Sequence, residues 1–209
     1  MYAITCCSTA DLPAQFYEKT GISYAKFHFS MNGVEYDDDL GLSISPEEFY
    51  QQIRQGALPV TSQVNVQQYE DLFEPILRSG KDLIHLTLSS GISGSIGSAR
   101  IAARELSERY PNRRIQIIDS LAAASGYGLL VEEAYCRQQE GMSFDQLVSW
   151  IEENKLKLHH WIFSRGTSFP WELTFIRGQI FSIFPKKAEE AEILPPRRKW
   201  VKSVEKNQW

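Results

Sequence analysis

This chain has few cysteines, no long hydrophobic run and no excess of positive charge. Its three cysteines, Cys6, Cys7 and Cys136, form no Cys-x-x-Cys pair, and its four histidines are scattered except for His159-His160, so no zinc site is expected. The odd, sparse cysteine count, together with an N-terminus that does not resemble a signal peptide, indicates the cytoplasm. No apolar run approaches the roughly 20 residues of an integral membrane helix.

Other absences disfavour whole classes of function. The net charge of −4 disfavours general nucleic-acid binding. The Gly-x-x-x-x-Gly-Lys-Ser/Thr pattern of phosphate-binding loops, the Gly-x-Gly-x-x-Gly dinucleotide pattern and the Gly-x-Ser-x-Gly pattern of serine hydrolases are all missing. The sequence therefore predicts neither a nucleotide-binding loop nor a serine hydrolase, and no cofactor is expected.

Strand and helix patterns alternate along most of the chain, which predicts an α/β fold with a mostly parallel sheet flanked by helices. Strands are predicted at 2–6, 22–29, 83–88, 115–118 and 158–163. Helices are predicted at 46–55, 66–77, 95–110, 122–138 and 144–154. Asn32-Gly33 is a hairpin-turn signal, and Ser8, Thr9 or Asp11 is expected to cap a short helix.

The composition changes near residue 163. Residues 161–209 carry nine lysines and arginines against five acidic residues, and four of the five tryptophans. The regular alternation of strands and helices also stops there. The sequence therefore predicts one α/β lobe at 1–163 and an atypical basic, Trp-rich segment at 164–209. That segment is interpreted either as a tail or as the remnant of a second lobe.

The most informative stretch is 83–99, an apolar strand that enters a Ser- and Gly-rich loop and then a helix. Helix N-termini offer free amides and a positive dipole end to anionic oxygens. Further hydroxyl-rich segments at 7–9, 61–63 and 119–120 are predicted at strand ends of the same sheet, where ligands bind in α/β proteins. Neutral hydroxyls and amides favour a carboxylate over a phosphate.

The residues that could be reactive on their own are expected to be structural or solvated. Cys7 has no histidine or other base nearby in sequence, so a half-buried structural thiol is expected, and His85 within its apolar strand is expected to be a core residue. Asp37, Asp38 and Asp39 are expected to form a solvated loop instead of a metal site. An enzyme that acts on a small carboxylate or phosphate, with Cys7 or Asp119 as its reactive group, is a competing hypothesis.

Four segments together, in this order, resemble the motifs of the DegV family of bacterial fatty-acid-binding proteins. They are Cys7-Ser8-Thr9-Ala10-Asp11-Leu12, Thr61-Ser62-Gln63, Leu88-Ser89-Ser90-Gly91-Ile92-Ser93-Gly94-Ser95, and Asp119-Ser120 with Gly126-Tyr127-Gly128. The resemblance covers about residues 1–163. Cys7 replaces the family's aspartate and Ser95 its threonine. The histidine and arginine that the family's second lobe contributes have no counterpart that can be assigned here.

The resemblance implies a carrier of a long-chain fatty acid, bound between two lobes, and not an enzyme. It implies that the hydroxyls of Thr61 and Ser93 hold the carboxylate, near Ser62 and the amides of Gly94 and Ser95. Support is expected from Ser8, Thr9, Asp119 and Ser120. A separate fatty acid kinase is the implied protein partner. The sequence is also compatible with an inactive, truncated family member and with an interaction module that has a basic tail.

Overall fold

The computed structural model describes residues 1–158 and two short paired strands beyond them. The strands are β1 (Tyr2–Cys7), β2 (Ser23–Ala25), β3 (His28–Met31), β4 (Val34–Asp37), β5 (Val60–Ser62), β6 (Asp82–Thr87), β7 (Ile115–Asp119), β8 (His160–Trp161) and β9 (Ile180–Phe181). The helices are α1 (Ala14–Thr20), α2 (Pro46–Arg54), α3 (Val66–Arg78), α4 (Ser95–Arg109), α5 (Ala124–Gln139) and α6 (Phe144–Asn154). The strand predicted at 158–163 includes β8. Apart from β9, the segment 164–209 lies outside the described residues, so its interpretation stays a prediction.

The first 158 residues contain a four-stranded parallel sheet in the order β2-β1-β6-β7. The two central strands are buried from Ile4 to Cys7 and from Leu83 to Thr87. Their near-continuous apolar character fits a sheet covered on both faces. Helix α3 packs on α4, and α5 packs on α6. The predicted fold class, an α/β fold with a mostly parallel sheet flanked by helices, is confirmed.

A second sheet, antiparallel and three-stranded, has the order β4-β3-β5. Strands β3 and β4 form the predicted hairpin, with Asn32 and Gly33 at φ 54° and 79°, as a type I′ turn requires. A small apolar cluster around Met31, Ile44 and Ala57 joins this sheet to α2. The polar face of α2 stays in solvent, and none of that helix's residues is fully buried.

The prediction of one strand over 22–29 is wrong. Strand β2 joins the parallel sheet, whereas β3 starts the antiparallel one. Between them the Phe27 amide donates to the Ser8 hydroxyl at 3.1 Å, and the Phe27 carbonyl accepts from the Asp38 amide at 2.8 Å. These bonds to two distant segments interrupt the strand, and an alternating sequence pattern does not reveal such contacts.

The predicted cap of the first helix is also wrong. Residues Ser8–Ala10 form a 3₁₀ turn, and α1 begins after Pro13 with no side-chain cap. The turn packs tightly against α5, where a Cβ on Gly128 would lie 2.2 Å from the Ala10 carbonyl oxygen. Glycine at 128 is therefore required for the close approach of α5 to the end of β1.

Candidate functional site

The candidate site lies where β1, β6 and β7 end, at one edge of the parallel sheet. Asp119 ties two of the following loops together, because its Oδ1 accepts from the amides of Ser90 and Leu121, each at 3.1 Å. The Ser89 amide also donates to the Ala122 carbonyl at 3.1 Å. These bonds fix the loop after β6 relative to the loop after β7, so Asp119 has a structural role.

The loop at 89–95, here called the Ser-Gly loop, satisfies most of its own amides. The Ser89 carbonyl accepts from the amides of Ile92 and Ser93 at 3.0 and 3.1 Å, and the Ser89 hydroxyl accepts from Gly91 at 3.2 Å. The Ser93 hydroxyl accepts from the Ser95 amide at 3.2 Å, at the first residue of α4. The loop is therefore pre-organised ahead of the helix.

Three hydrogen-bond donors remain at this helix start. Within residues 1–158, neither the Gly94 amide nor the Ile96 amide has an acceptor, and the Ser93 hydroxyl proton has none either. The Ser95 amide, in contrast, is already used by Ser93. The family motif predicts Gly94 and Ser95 as the amide donors and gives no signal for Ile96. The free donors lie at the positive end of a 15-residue helix, where an anionic oxygen is stabilised.

The Thr61–Gln63 segment does not end a strand of the parallel sheet, which corrects the sequence-based expectation. Thr61 and Ser62 lie within β5 of the antiparallel sheet, paired with Phe29 and His28. Adjacent strand residues point to opposite faces, so the two hydroxyls do not share one face. The segment nevertheless reaches the Ser-Gly loop, since a Cβ on Gly94 would lie 3.0 Å from Gln63 Oε1. Thr61 and Ser62 are both exposed.

The supporting residues predicted from the sequence are mostly engaged within the protein. The Ser8 hydroxyl accepts from Phe27, and the Ser120 hydroxyl bridges the Ala122 amide and carbonyl at 3.1 and 3.3 Å. Thr9 differs, because its buried hydroxyl has no partner within the described part of the chain. Ser8, Ser120 and Asp119 therefore shape the loops.

Beneath the Ser-Gly loop, a chain of buried polar side chains runs from α4 into the sheet. The Ser95 and Tyr69 hydroxyls are 2.6 Å apart, and the Tyr69 hydroxyl is 3.6 Å from Cys7 Sγ. Cys7 Sγ lies 3.8 Å from His85 Nε2, and His85 Nδ1 lies 2.8 Å from the Thr5 hydroxyl. We call these five residues the Ser95–Thr5 relay.

Cys7 and His85 therefore meet, although no sequence signal pairs them. Cys7 is fully buried, not half-buried as expected, and burial raises the pKa of its thiol. Burial also lowers the pKa of His85 to about 3. Both groups are therefore neutral near pH 7, unlike the thiolate–imidazolium pair of a cysteine nucleophile. His85 is a satisfied core residue, as predicted.

The three-aspartate segment is only partly the solvated loop that was expected. Asp37 is exposed and pairs with Lys26 and His28. Asp39 is buried, and its carboxylate accepts from the amides of Leu42 and Ser43 at 2.9 and 3.0 Å. Its acidic side chain thus holds a turn. Over the described residues, no group of three or more potential metal ligands is assembled, and no helix is long and apolar enough to cross a membrane.

The fold and this site together define an α/β protein with two free amides and one free hydroxyl proton at the N-terminus of a helix. The family model described as "Uncharacterised protein, DegV family" matches residues 1–165. A DegV domain-containing protein of Clostridium perfringens is 38% identical over 160 residues, which are 77% of this chain and 55% of that protein. The chain belongs to the DegV family, as the motifs indicated.

Solved structures of similar proteins share this fold. A stearic-acid-binding protein of Eubacterium ventriosum matches with 30% identity and a TM-score of 0.68, over 73% of this chain and 52% of that one. A DegV family protein of Thermus thermophilus, described by its fatty acid binding, matches with 27% identity and a TM-score of 0.66. The match covers 74% of this chain and 53% of that one. The chain thus spans about half the length of the relatives it matches.

Proposed function

We propose that this chain binds a long-chain fatty acid and that the Ser-Gly loop and the start of α4 hold its carboxylate. The observation that carries the proposal is the set of three free donors on Ser93, Gly94 and Ile96 at the positive end of α4. A carboxylate is acceptor-only and needs such donors. The Gln63 amide lies against Gly94 and adds a further donor, with Thr61 two residues away.

Because the donors are uncharged, they favour a reversibly bound carboxylate over a phosphate. No lysine or arginine lies within the Ser-Gly loop, whereas phosphate sites commonly add a cation to the helix terminus. The Eubacterium and Thermus relatives, described by stearic acid and fatty acid binding, supply the ligand class. We propose a cytoplasmic carrier that needs no cofactor and is not an enzyme.

The first test is extraction of the purified full chain under denaturing conditions, followed by mass spectrometry, and titration of the delipidated protein with palmitate. Thr61→Ala and Ser93→Ala should each weaken binding about 10- to 100-fold, because each removes a hydrogen bond to a charged group. Ser149→Ala, at an exposed serine of α6, should leave the affinity unchanged. A chain that carries no fatty acid and binds none when one is added would refute the proposal.

We also propose a protein partner, a fatty acid kinase, to which this chain delivers its bound fatty acid. A loaded chain mixed with such a kinase and ATP should yield acyl phosphate, and the Thr61→Ala, Ser93→Ala double variant should not. Acyl phosphate formed at equal rates with and without this chain would contradict the carrier role while leaving fatty acid binding intact.

A further inference from the structure

The Ser95–Thr5 relay contains one more proton than it has internal acceptors to use. Each of its five members is buried, with at most 1% exposure. Each carries one proton that it can donate when His85 is neutral. Four contacts join the five members in a line. Four of the protons can therefore be donated within the line, so the proton of one member has no acceptor inside it.

Two arrangements run in a single direction along the whole line and leave the unused proton at one end, on Thr5 or on Ser95. Arrangements that converge on Cys7 or Tyr69 leave the proton of that residue without an acceptor in the core. In the inward direction, Ser95 donates to Tyr69 and Tyr69 donates to Cys7. Cys7 then donates to His85 Nε2, and His85 Nδ1–H donates to Thr5. In the outward direction, Thr5 donates to His85 Nδ1, His85 Nε2–H donates to Cys7, and Cys7 donates to Tyr69. Tyr69 then donates to Ser95, whose own proton is free. The Nδ1–H tautomer of His85 therefore marks the inward direction, and the Nε2–H tautomer excludes it.

The position of the leftover proton decides between the two directions. A buried hydroxyl proton without an acceptor is unfavourable. Within the described residues, neither Thr5 nor Ser95 has a further acceptor for its hydroxyl proton. Ser95 is the first residue of α4 and lies between the free amides of Gly94 and Ile96. A carboxylate bound there would supply the missing acceptor at that end alone.

We propose that a carboxylate at the Ser-Gly loop sets the relay in the outward direction and that Tyr69 is the positioning residue that turns the Ser95 hydroxyl toward the ligand. This inference rests on the proposed function. Tyr127 contrasts with Tyr69, because its hydroxyl already donates to the Leu86 carbonyl at 2.5 Å and accepts from the Cys7 amide at 2.9 Å. The Tyr127 hydroxyl proton therefore has a fixed acceptor, and the hydroxyl anchors the backbone of β1.

The test follows the ring nitrogens of His85 by ¹⁵N NMR in the delipidated full chain, before and after palmitate is added. The nitrogen that carries the proton has a well-separated shift, so the tautomer can be assigned directly. In the wild type, palmitate should give the Nε2–H tautomer. Tyr69→Phe keeps the ring but breaks the line, so palmitate should no longer change the tautomer, and the affinity should fall about 3- to 10-fold.

Tyr17→Phe is the matched control, because it removes another buried tyrosine hydroxyl beside a thiol, that of Cys6 at 3.8 Å. It should leave both the affinity and the ligand-dependent tautomer change intact. If wild type binds palmitate but its His85 nitrogens do not respond, or become Nδ1–H, the inference is overturned while the proposed function survives. If wild type binds no palmitate, the proposed function itself fails. Should Tyr69→Phe not fold, the wild-type tautomer measurement still decides.

Discussion

At the scale of single residues, Cys7 shows how burial decides chemistry. A thiol within 4 Å of an imidazole has the composition of a catalytic pair, yet both Cys7 and His85 are at 0% exposure. Since desolvation disfavours every charged form, it raises the pKa of the thiol and lowers that of the imidazole. The pair therefore stays neutral, and this geometry argues against Cys7 as a nucleophile.

We expect the three free cysteines to react very differently with a thiol reagent. Cys6 and Cys7 are buried, whereas Cys136 is exposed on α5. Partial desolvation and the neighbouring glutamates 133, 132 and 140 raise the pKa of Cys136, so its labelling should be slow at neutral pH and accelerate as the pH rises. Mass spectrometry of the native chain should show one label, and the denatured chain three.

Cys136→Ser supplies the control for this experiment, because the native variant should take up no label on the same timescale. Rapid alkylation of native Cys7 would contradict the buried, neutral thiol. It would also restore the enzyme hypothesis in which Cys7 is the reactive group.

Sequence reasoning succeeded for residues whose neighbours along the chain define their environment. His85 lies in an apolar strand, and that strand is buried. Tyr69 is different, because its four-residue spacing to Phe73 and Leu77 on α3 indicates only a core face. Its hydroxyl partners, Ser95 and Cys7, are 26 and 62 positions away. Nothing in the local pattern could have identified the relay.

At the scale of elements, the candidate site depends on how two loops are joined. Asp119 ends β7, yet its carboxylate accepts from Ser90 in the loop after β6 and from Leu121 in its own loop. The donors of the Ser-Gly loop are therefore pre-organised by a neighbouring strand. Such an arrangement lowers the conformational entropy that ligand binding would otherwise cost.

Asp119→Ala should loosen both loops and weaken fatty acid binding without removing any proposed head-group contact. The amides of Ser90 and Leu121 lose their acceptor, so their hydrogen exchange, measured by NMR, should accelerate about tenfold or more. Asp119→Asn keeps a carbonyl oxygen in the same place and should retain most of the protection. Equal exchange in wild type and Asp119→Ala would show that the carboxylate does not order the loops.

The boundaries of elements were predictable where caps are local. Ser143 caps α6 with its hydroxyl on the Gln146 amide, as a polar residue ahead of an apolar face indicates. Strand pairing was harder to predict from the sequence. Thr61 and Ser62 look like a strand end in a βα pattern, but β5 pairs antiparallel with β3. This pairing depends on the chain reversal between β3 and β4 and on α2 packing against the same sheet.

At the scale of the whole molecule, a neutral histidine in the core links stability to pH. Burial lowers the pKa of His85 to about 3, from 6.5 in an exposed side chain. Below about pH 6.5 the unfolded chain binds a proton at this position that the folded chain does not. The contribution of His85 is therefore fully present above pH 6.5 and is lost progressively as the pH falls toward 3.

The free energy of unfolding should consequently decrease from about pH 6.5 to 5.5, with a slope from His85 of up to about 1.4 kcal/mol per pH unit. Urea denaturation of the full chain at a series of pH values measures this slope. His85→Gln removes the titrating group and should flatten the curve in this window, whatever its effect at pH 7.5. His28→Gln, in the antiparallel sheet, should leave the His85 contribution in place. If His85→Gln does not fold, an NMR titration of folded wild type decides the point, because protonation of His85 above about pH 5 would contradict a buried neutral imidazole.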